Sequence, residues 1–202
     1  HHDCGNWLYL VTYLSFITCC YCCMVSRWQH SHEFFMNSAC IRQAQQADII
    51  SITDLLNRCA EHMHQQGMAH WLGVYDADSV KENMMTKQVY VLEKDEQIVG
   101  CIAMGTEKAS YYDACWPKAP AADIYITQLA VSPLVQGSGY GKQLMQFCLY
   151  KAGDNSVPLD AVVHYPALLK FYNDLGFRII ATGIGLGDKR HLFVYPINAF
   201  PD

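Results

Sequence analysis

Three glycines spaced two residues apart, Gly137, Gly139 and Gly141, are the residues best suited to binding chemistry. Glycine lets the chain turn sharply and approach a ligand closely, because it has no Cβ atom. The helix predicted after them directs unpaired N–H groups and the positive end of its dipole toward the turn. Such a turn binds phosphate or pyrophosphate, and Lys142 adds a cation. A Walker loop is excluded, since Gln143 follows the lysine where Ser or Thr is required.

The elements that position this turn form an α/β pattern beginning at Cys40. Apolar positions at intervals of three and four predict a helix after Asp48, which can cap it. The other predicted segments are a helix over 76–86, strands over 40–43, 88–93, 97–105 and 123–131, and a loop over 108–122. They continue with a helix over 142–152, a strand over 159–164, a helix from Pro166 to Leu175, and strands over 178–182 and 191–195.

Two motifs in this part of the chain resemble the GNAT N-acetyltransferases. The pattern Gln136-x-x-Gly139-x-Gly141 matches the family's Gln/Arg-x-x-Gly-x-Gly/Ala motif, and the segment 129–133 is similar to its central strand. The segment 166–177 resembles the second signature, a helix that carries a tyrosine and ends in Leu-Gly-Phe. The resemblance covers residues 40–196. It implies an α/β fold whose mixed, mostly antiparallel central sheet is flanked by helices and splayed at the cofactor site.

The same resemblance implies acetyl-CoA as co-substrate and direct attack of a primary amine on its thioester. The pyrophosphate would lie on the backbone amides of the glycine turn, and the pantetheine arm would pair with the edge of the preceding strand. The implied cofactor-binding residues are Leu129, Ala130, Val131, Gln136, Gly137, Ser138, Gly139, Tyr140, Gly141, Lys142 and Tyr165. At Tyr165 the chain departs from the family, which often has an asparagine there.

Tyr172 stands where the family's general acid stands, and an aromatic residue packed on a helix face is the alternative. Asp160, twelve residues earlier, is the candidate general base that would deprotonate the amine. Other candidate bases, or residues of the acceptor cleft, are Asp123, Glu107 and Tyr125. A non-catalytic acyl-CoA-binding module of the same fold is the alternative function.

The acceptor expected is a small-molecule or peptide amine. Aromatic residues are dense on the presumed acceptor side of the site. This density predicts either a bulky or apolar amine as the acceptor or a loop that packs its own side chains. The aromatic residues are Trp71, Tyr75, Tyr111, Tyr112, Trp116 and Tyr125. A net charge of −5 without a basic stripe argues against nucleic acid as a partner. A homodimer is left open.

The ten cysteines do not form a disulfide or metal-binding pattern. Five of them are scattered singly from Cys40 to Cys148, as expected of small buried apolar residues in a reducing, cytoplasmic compartment. The cysteines at 20, 22 and 23 have no second pair at zinc-site spacing, so no metal site is predicted.

Residues 1–35 differ from the acetyltransferase domain expected over 36–202. Trp7 to Met24 contains no charged residue and four cysteines, and its length is near the lower limit for a membrane span. Three interpretations are open. The segment is a non-native extension before a natural start at Met36, a loosely packed apolar helix, or a membrane anchor with acylatable cysteines. Membrane association would involve only residues 7–24.

Overall fold

The computed structural model describes residues 39–68, 71–119 and 121–195. Seven strands and five α-helices alternate along these ranges. The strands are β1 (Cys40–Gln43), β2 (Gln88–Lys94), β3 (Gln97–Gly105), β4 (Tyr125–Val131), β5 (Val157–Val162), β6 (Arg178–Gly185) and β7 (Asp188–Tyr195). The helices are α1 (Ile49–Gln65), α2 (Ala77–Thr86), α3 (Tyr112–Cys115), α4 (Tyr140–Ala152) and α5 (Pro166–Asp174). The expectation for residues 1–35 lies outside the described residues.

The strands form two antiparallel sheets, one ordered β1-β2-β3-β4 and the other β5-β7-β6. The expected α/β fold with a splayed, mostly antiparallel sheet is therefore found. The splay is wide enough that no β4–β5 ladder forms among the described residues. Both strands keep one open edge, and α4 connects them. The gap between the sheets lies at the position predicted for the cofactor.

Helix α4 packs both sheets into one core. Its buried face carries Leu144, Met145 and Cys148, which belong to the same cluster as Ile102 of β3 and Phe193 of β7. Complete burial of side chains of this size contributes about 1.5–3 kcal/mol each to folding. The glycine turn that precedes α4 is therefore fixed to a rigid element.

Helix α1 is amphipathic as predicted, with Ile52, Leu56 and Cys59 buried. Asp48 is the N-cap residue of α1 as predicted, but its side chain makes no capping hydrogen bond to the helix. Its carboxylate instead accepts hydrogen bonds from Arg42 at 2.7 and 2.9 Å and from the Gln45 backbone N–H at 2.7 Å. Arg42 and this N–H lower the pKa of Asp48. The acidic group thus joins β1 to the start of α1.

The remaining sequence predictions need small corrections at the ends of elements. The predicted loop 108–122 contains the one-turn helix α3, and β5 begins and ends two residues before its predicted limits. Of the singly placed cysteines, Cys59, Cys101 and Cys148 are buried as predicted, whereas Cys40 and Cys115 are half-buried. Within the ranges given above, no helix is both long and apolar enough to span a bilayer.

Candidate functional site

The glycine turn has the backbone geometry of an anion site. Gly137 and Gly139 adopt φ values of +83° and +82°, a region that favours glycine. Gly139 is the N-cap of α4, and no side chain caps the helix. The first N–H groups of a helix have no intrahelical acceptor. The first N–H groups of α4 are therefore available to bind an anion at the end of the gap between the two sheets. The positive end of the helix dipole lies at the same place.

Strand β4 contains a bulge next to this turn. Gln128 and Leu129 together lie opposite Ile102, because Cys101 pairs with Ala130 and Ala103 pairs with Thr127. Gln128 has φ of +59°, unusual for a residue other than glycine. A bulge interrupts the ladder and redirects side chains. Here it brings Gln128 and Leu129 to the wall of a large cavity.

The cavity has a volume of about 920 Å³ and lies between the open sides of β4 and β5. At one end its wall includes Gln136 and Gly137 of the glycine turn. Tyr165 and Tyr172, from the start and the middle of α5, line its side. A single cavity therefore joins the predicted cofactor turn to the predicted catalytic tyrosine.

Tyr172 is 8% exposed, and its ring packs against Phe177 and Phe193 with centroid separations of 5.8 and 5.5 Å. No hydrogen bond joins its hydroxyl to another described residue. Burial, and secondarily the charge of Asp160, raise the pKa of Tyr172 above its ordinary value of about 10. The hydroxyl is therefore protonated at neutral pH and can donate a proton or hydrogen bond into the cavity.

Asp160, in the same wall, is held by three side chains. Its Oδ1 accepts hydrogen bonds from the hydroxyls of Tyr111 at 3.0 Å and Tyr112 at 2.7 Å. Its Oδ2 forms an ion pair with Nε of Arg190. The side chains of Asp160 and Arg190 are each 8% exposed. Burial, followed by the charge of Asp160, raises the pKa values of both tyrosines, so both hydroxyls act as donors.

The other predicted residues are distributed along and outside this cavity. Leu129 lines it, whereas Ala130 is buried in the core and Val131 is half-buried at the end of β4. Residues 138–142 continue the turn but do not belong to the cavity wall, and the Lys142 side chain is exposed. The Val131 carbonyl accepts weak hydrogen bonds from Cys59 at 3.3 Å and Gln136 at 3.5 Å.

The rival candidates for the base lie elsewhere. Asp123 and Glu107 are exposed, and none of Asp123, Glu107 and Tyr125 is part of the cavity wall. Tyr125 is buried, and its hydroxyl accepts a hydrogen bond from the Ala122 N–H at 3.3 Å. Of the residues proposed from the sequence as general acid or general base, the structure thus places only Tyr172 and Asp160 in the cavity wall.

Sequence reasoning missed Arg190, Gln128 and His62, all in the cavity wall. The Nε2 atom of His62 lies 3.0 Å from the Gln66 side-chain nitrogen. A signal for Arg190 exists in the alternation of β7, since it shares a phase with the buried Leu192 and Val194. No comparable signal marks Gln128, whose position depends on the bulge.

Two glycines of β6 support the aromatic part of the wall. A Cβ atom at Gly183 would lie 2.6 Å from the Cys115 carbonyl, and one at Gly185 would lie 2.8 Å from the Cys115 Sγ atom. Helix α3 therefore sits directly on the β6 backbone. This contact fixes the segment from which Tyr111 and Tyr112 reach Asp160.

Comparisons with known proteins agree with this geometry. Residues 86–179 match the family of Acetyltransferase (GNAT) domains. A curated relative is the uncharacterized N-acetyltransferase YesJ of Bacillus subtilis. It is 27% identical over 152 residues, which are 70% of this chain and 84% of YesJ.

Solved structures share the fold. A GNAT-family acetyltransferase of Streptococcus agalactiae has a TM-score of 0.65 at 17% identity, over 76% of this chain and 92% of its own. YncA of Salmonella typhimurium, a putative acetyltransferase solved with acetyl-CoA, has a TM-score of 0.58 at 19% identity, over 82% and 99% of the two chains.

These matches favour an enzyme over the non-catalytic module that the motifs alone left open. The domain match spans the glycine turn, β5, and α5 with its tyrosine, which are the parts that build the cavity. Over residues 86–179 the protein matches the GNAT acetyltransferase domain, and together with the curated N-acetyltransferase relative this match identifies it as an acyltransferase.

Proposed function

We propose that this protein transfers the acetyl group of acetyl-CoA to a primary amine by direct attack, without an acyl-enzyme. The observation that carries the proposal is the single cavity whose wall contains Gln136 and Gly137 of the glycine turn together with Tyr172 and Asp160. Bound there, acetyl-CoA would supply an activated acetyl thioester. The presence of acetyl-CoA in the related Salmonella structure supports this choice of co-substrate.

The cofactor end fits a pyrophosphate through its backbone. The uncapped N-terminus of α4 offers N–H donors, and Gly137 and Gly139 keep Cβ atoms away from the ligand. The open edge of β4 at Leu129 and Val131 would hydrogen-bond the pantetheine arm as an added strand. Tyr165 would contact the cofactor from the start of α5 through its aromatic ring.

Tyr172 is the proposed general acid. Its hydroxyl is protonated at neutral pH and has no competing partner among the described residues. Packing against Phe177 and Phe193 fixes the ring. Tyr172 would donate its proton to the departing sulfur, and a positioned acid of this kind contributes about 10²–10⁴-fold to rate.

Asp160 as the base stays a prediction. A carboxylate has about four lone-pair positions. Three of them are used by Tyr111, Tyr112 and Arg190. One position on Oδ2 is left to accept a proton or hydrogen bond from the amine. His62 is the second titratable candidate in the same wall.

Part of the cavity wall is apolar, with Met63, Met68, Trp71 and Tyr75 from α1 and the segment before α2. This part of the wall would hold the acceptor. Trp71 and Tyr75 pack edge to face with a centroid separation of 5.5 Å. Burial raises the pKa of Tyr75 to about 12, which keeps its hydroxyl neutral. This wall supports an amine with a bulky apolar substituent.

The test is thiol release from acetyl-CoA over a panel of primary amines. We expect Tyr172→Phe to lower kcat by about 10²-fold or more, with little change in acetyl-CoA affinity. Tyr150→Phe is the matched control, because it removes the same hydroxyl from an exposed position on α4. Tight acetyl-CoA binding without turnover on any amine would contradict acetyl transfer, and an unchanged rate in Tyr172→Phe would exclude it as the acid.

A further inference from the structure

Tyr111 connects the buried carboxylate of Asp160 to the cavity. Three side chains bind this carboxylate, and two of them, Tyr112 and Arg190, are each only 7% exposed. The third, Tyr111, is half-buried and belongs to the cavity wall. The side chain of Asp160 itself is 8% exposed. Tyr111 is therefore the partner of Asp160 that a ligand in the cavity can best reach.

The ring of Tyr111 is fixed by its neighbours. The guanidinium carbon of Arg190 lies 5.6 Å from the ring centroid, and the ring of Tyr112 packs against it with a centroid separation of 5.4 Å. A Cβ atom at Gly185 would lie 3.1 Å from Cδ2 of Tyr111, so the ring also rests on the β6 backbone. A group held in this way needs no rearrangement before it acts on a bound ligand.

The hydroxyl of Tyr111 has one hydrogen-bond partner among the described residues, Oδ1 of Asp160 at 3.0 Å. Burial, followed by the charge of Asp160, raises the pKa of Tyr111, so the hydroxyl keeps its proton at neutral pH and donates it to the carboxylate. A phenolic oxygen also has lone pairs that accept hydrogen bonds. The oxygen of Tyr111 can therefore accept an N–H from a ligand while its own O–H stays on Asp160.

The direct route from a ligand to Asp160 is less favourable. Both tyrosine hydroxyls occupy Oδ1, and Nε of Arg190 is bound to Oδ2. The lone-pair position that remains on Oδ2 lies beside a guanidinium, whose positive charge repels a positively charged nitrogen. Tyr111 is farther from this charge, since its ring centroid is 5.6 Å from the guanidinium carbon. We therefore expect an amine proton to reach the carboxylate through the phenol.

We propose that Tyr111 relays a proton from the acceptor amine to Asp160. The amine nitrogen attacks the thioester carbonyl, a C–N bond forms, and the nitrogen becomes positively charged. Its proton then moves to the oxygen of Tyr111 as the proton of Tyr111 moves to Oδ1 of Asp160. The C–S bond breaks, and Tyr172 gives its proton to the departing sulfur. The inference rests on the proposed acetyl transfer and names a further catalytic residue for it.

The protons of this sequence balance. One proton leaves the amine nitrogen and one arrives at the sulfur of CoA, which leaves Asp160 protonated and Tyr172 ionised. The charge of Asp160 contributes to the raised pKa of Tyr172, so the two groups lie near each other in the wall. Water entering the cavity after the products leave would carry the proton from Asp160 to Tyr172. The enzyme then returns to its starting state without any other reactant.

Tyr111→Phe and Tyr112→Phe are matched variants, because each removes one hydroxyl donor from the same oxygen of Asp160. The Tyr112 hydrogen bond is the shorter, at 2.7 Å against 3.0 Å, so loss of support for Asp160 alone should harm Tyr112→Phe at least as much. We expect Tyr111→Phe to lower kcat by about 10²-fold and Tyr112→Phe by less than about tenfold. An equal loss in both variants, or a larger one in Tyr112→Phe, would overturn the relay.

Two amines of nearly the same shape distinguish proton transfer from packing. Phenethylamine is more basic than β,β-difluorophenethylamine, whose nitrogen therefore gives up its proton more readily and depends less on a base. The loss of kcat/KM in Tyr111→Phe should be about tenfold smaller for the fluorinated amine. In Tyr112→Phe the loss should be the same for both amines. A loss in Tyr111→Phe that does not depend on the amine would also overturn the relay.

A binding measurement separates this proposal from the acetyl transfer on which it rests. Phenylalanine at position 111 keeps the ring contacts with Gly185 and Arg190, so Tyr111→Phe is expected to fold, and urea unfolding checks this. Calorimetric titration of phenethylamine into the protein saturated with CoA should show affinity about three- to tenfold weaker in Tyr111→Phe, the value of one hydrogen bond, and unchanged in Tyr112→Phe. Absence of turnover on every amine would reject the proposed transfer. Weaker binding in Tyr111→Phe alone would still support the contact between Tyr111 and the amine, and equal or absent binding would overturn it.

Discussion

The predicted cofactor site is formed mainly by backbone atoms, whereas the predicted acceptor site is formed mainly by side chains. The predicted cofactor site is formed by backbone from one continuous stretch, 129–142, of which Leu129, Gln136 and Gly137 line the cavity. The acceptor end consists of side chains from α1, α3, β4, β5 and β7. By the proposed function, the cofactor would be bound through backbone amides that nearly any sequence could supply, provided that glycines shape the turn. The acceptor would instead depend on particular hydroxyl, carboxylate and guanidinium groups that hold one another in place.

This difference predicts how each end tolerates substitution. The acceptor end depends on buried charged and polar groups that satisfy one another, so removing one partner harms the rest. The cofactor end depends on main-chain conformation, so only changes that move the backbone should matter. The three predictions below test this contrast, beginning with the largest expected effect.

Asp160→Asn is expected to lower the free energy of unfolding by about 3 kcal/mol or more, because it leaves the buried Arg190 charge without its counterion. Urea unfolding without cofactor, followed by circular dichroism, measures the loss. The double variant Asp160→Asn/Arg190→Gln should recover much of it, since no buried charge remains. Asp154→Asn, at an exposed position, should change the unfolding free energy by less than about 0.5 kcal/mol. A similarly small loss in Asp160→Asn would show that the acceptor end is not held by this pair.

Gly139→Val is expected to weaken acetyl-CoA binding about tenfold. A valine at φ of +82° is strained by about 1–3 kcal/mol. Relief of that strain would move the N–H groups at the start of α4. Gly153→Val places the same residue at φ of +61° at the other end of the same helix. Because Gly153 has ψ of −126°, a conformation still less accessible to valine than that of Gly139, Gly153→Val should lose at least as much stability. Titration with acetyl-CoA should nevertheless show weaker binding in Gly139→Val alone. Equal affinity in both would contradict a backbone-built site.

Lys142→Ala is expected to have the smallest effect, a two- to threefold rise in the KM for acetyl-CoA. The side chain is exposed, and an exposed charge contributes about 0.5 kcal/mol. The rise should shrink further at high salt, where the interaction is screened. Gln143→Ala, the exposed neutral neighbour, serves as the control. A loss of a hundredfold or more in Lys142→Ala would mean that this end depends on a side chain after all.

The same contrast explains what the sequence could reveal. The conformation of the glycine turn was predictable because Gln136, Gly139 and Gly141 lie close together in the sequence. This local pattern is sufficient to determine the backbone geometry of the turn. Tyr172 was predictable because the helix around it keeps a recognisable pattern from Pro166 to Phe177. In both cases the positioning elements are adjacent in the chain to the residues they position.

The partners of Asp160 could not be predicted in this way. Tyr111, Tyr112 and Arg190 are 49, 48 and 30 residues from it along the chain. Their meeting depends on how α3 rests on Gly183 and Gly185 of β6, a contact that no local pattern encodes. The aromatic density of loop 108–122 was visible in the sequence, and Tyr111 and Tyr112 line the cavity. The sequence did not indicate that these two tyrosines bind Asp160.

The bulge in β4 has a further consequence for the integrity of the fold. An open strand edge is a template on which other strands assemble, either within the molecule or between molecules. A regular β4 would present an unbroken ladder toward β5, and the two sheets could merge and close the cavity. The bulge interrupts the β3–β4 ladder at Gln128 and Leu129 and bends β4, which opposes a continuous ladder with β5 and leaves the edge of β4 accessible to a ligand.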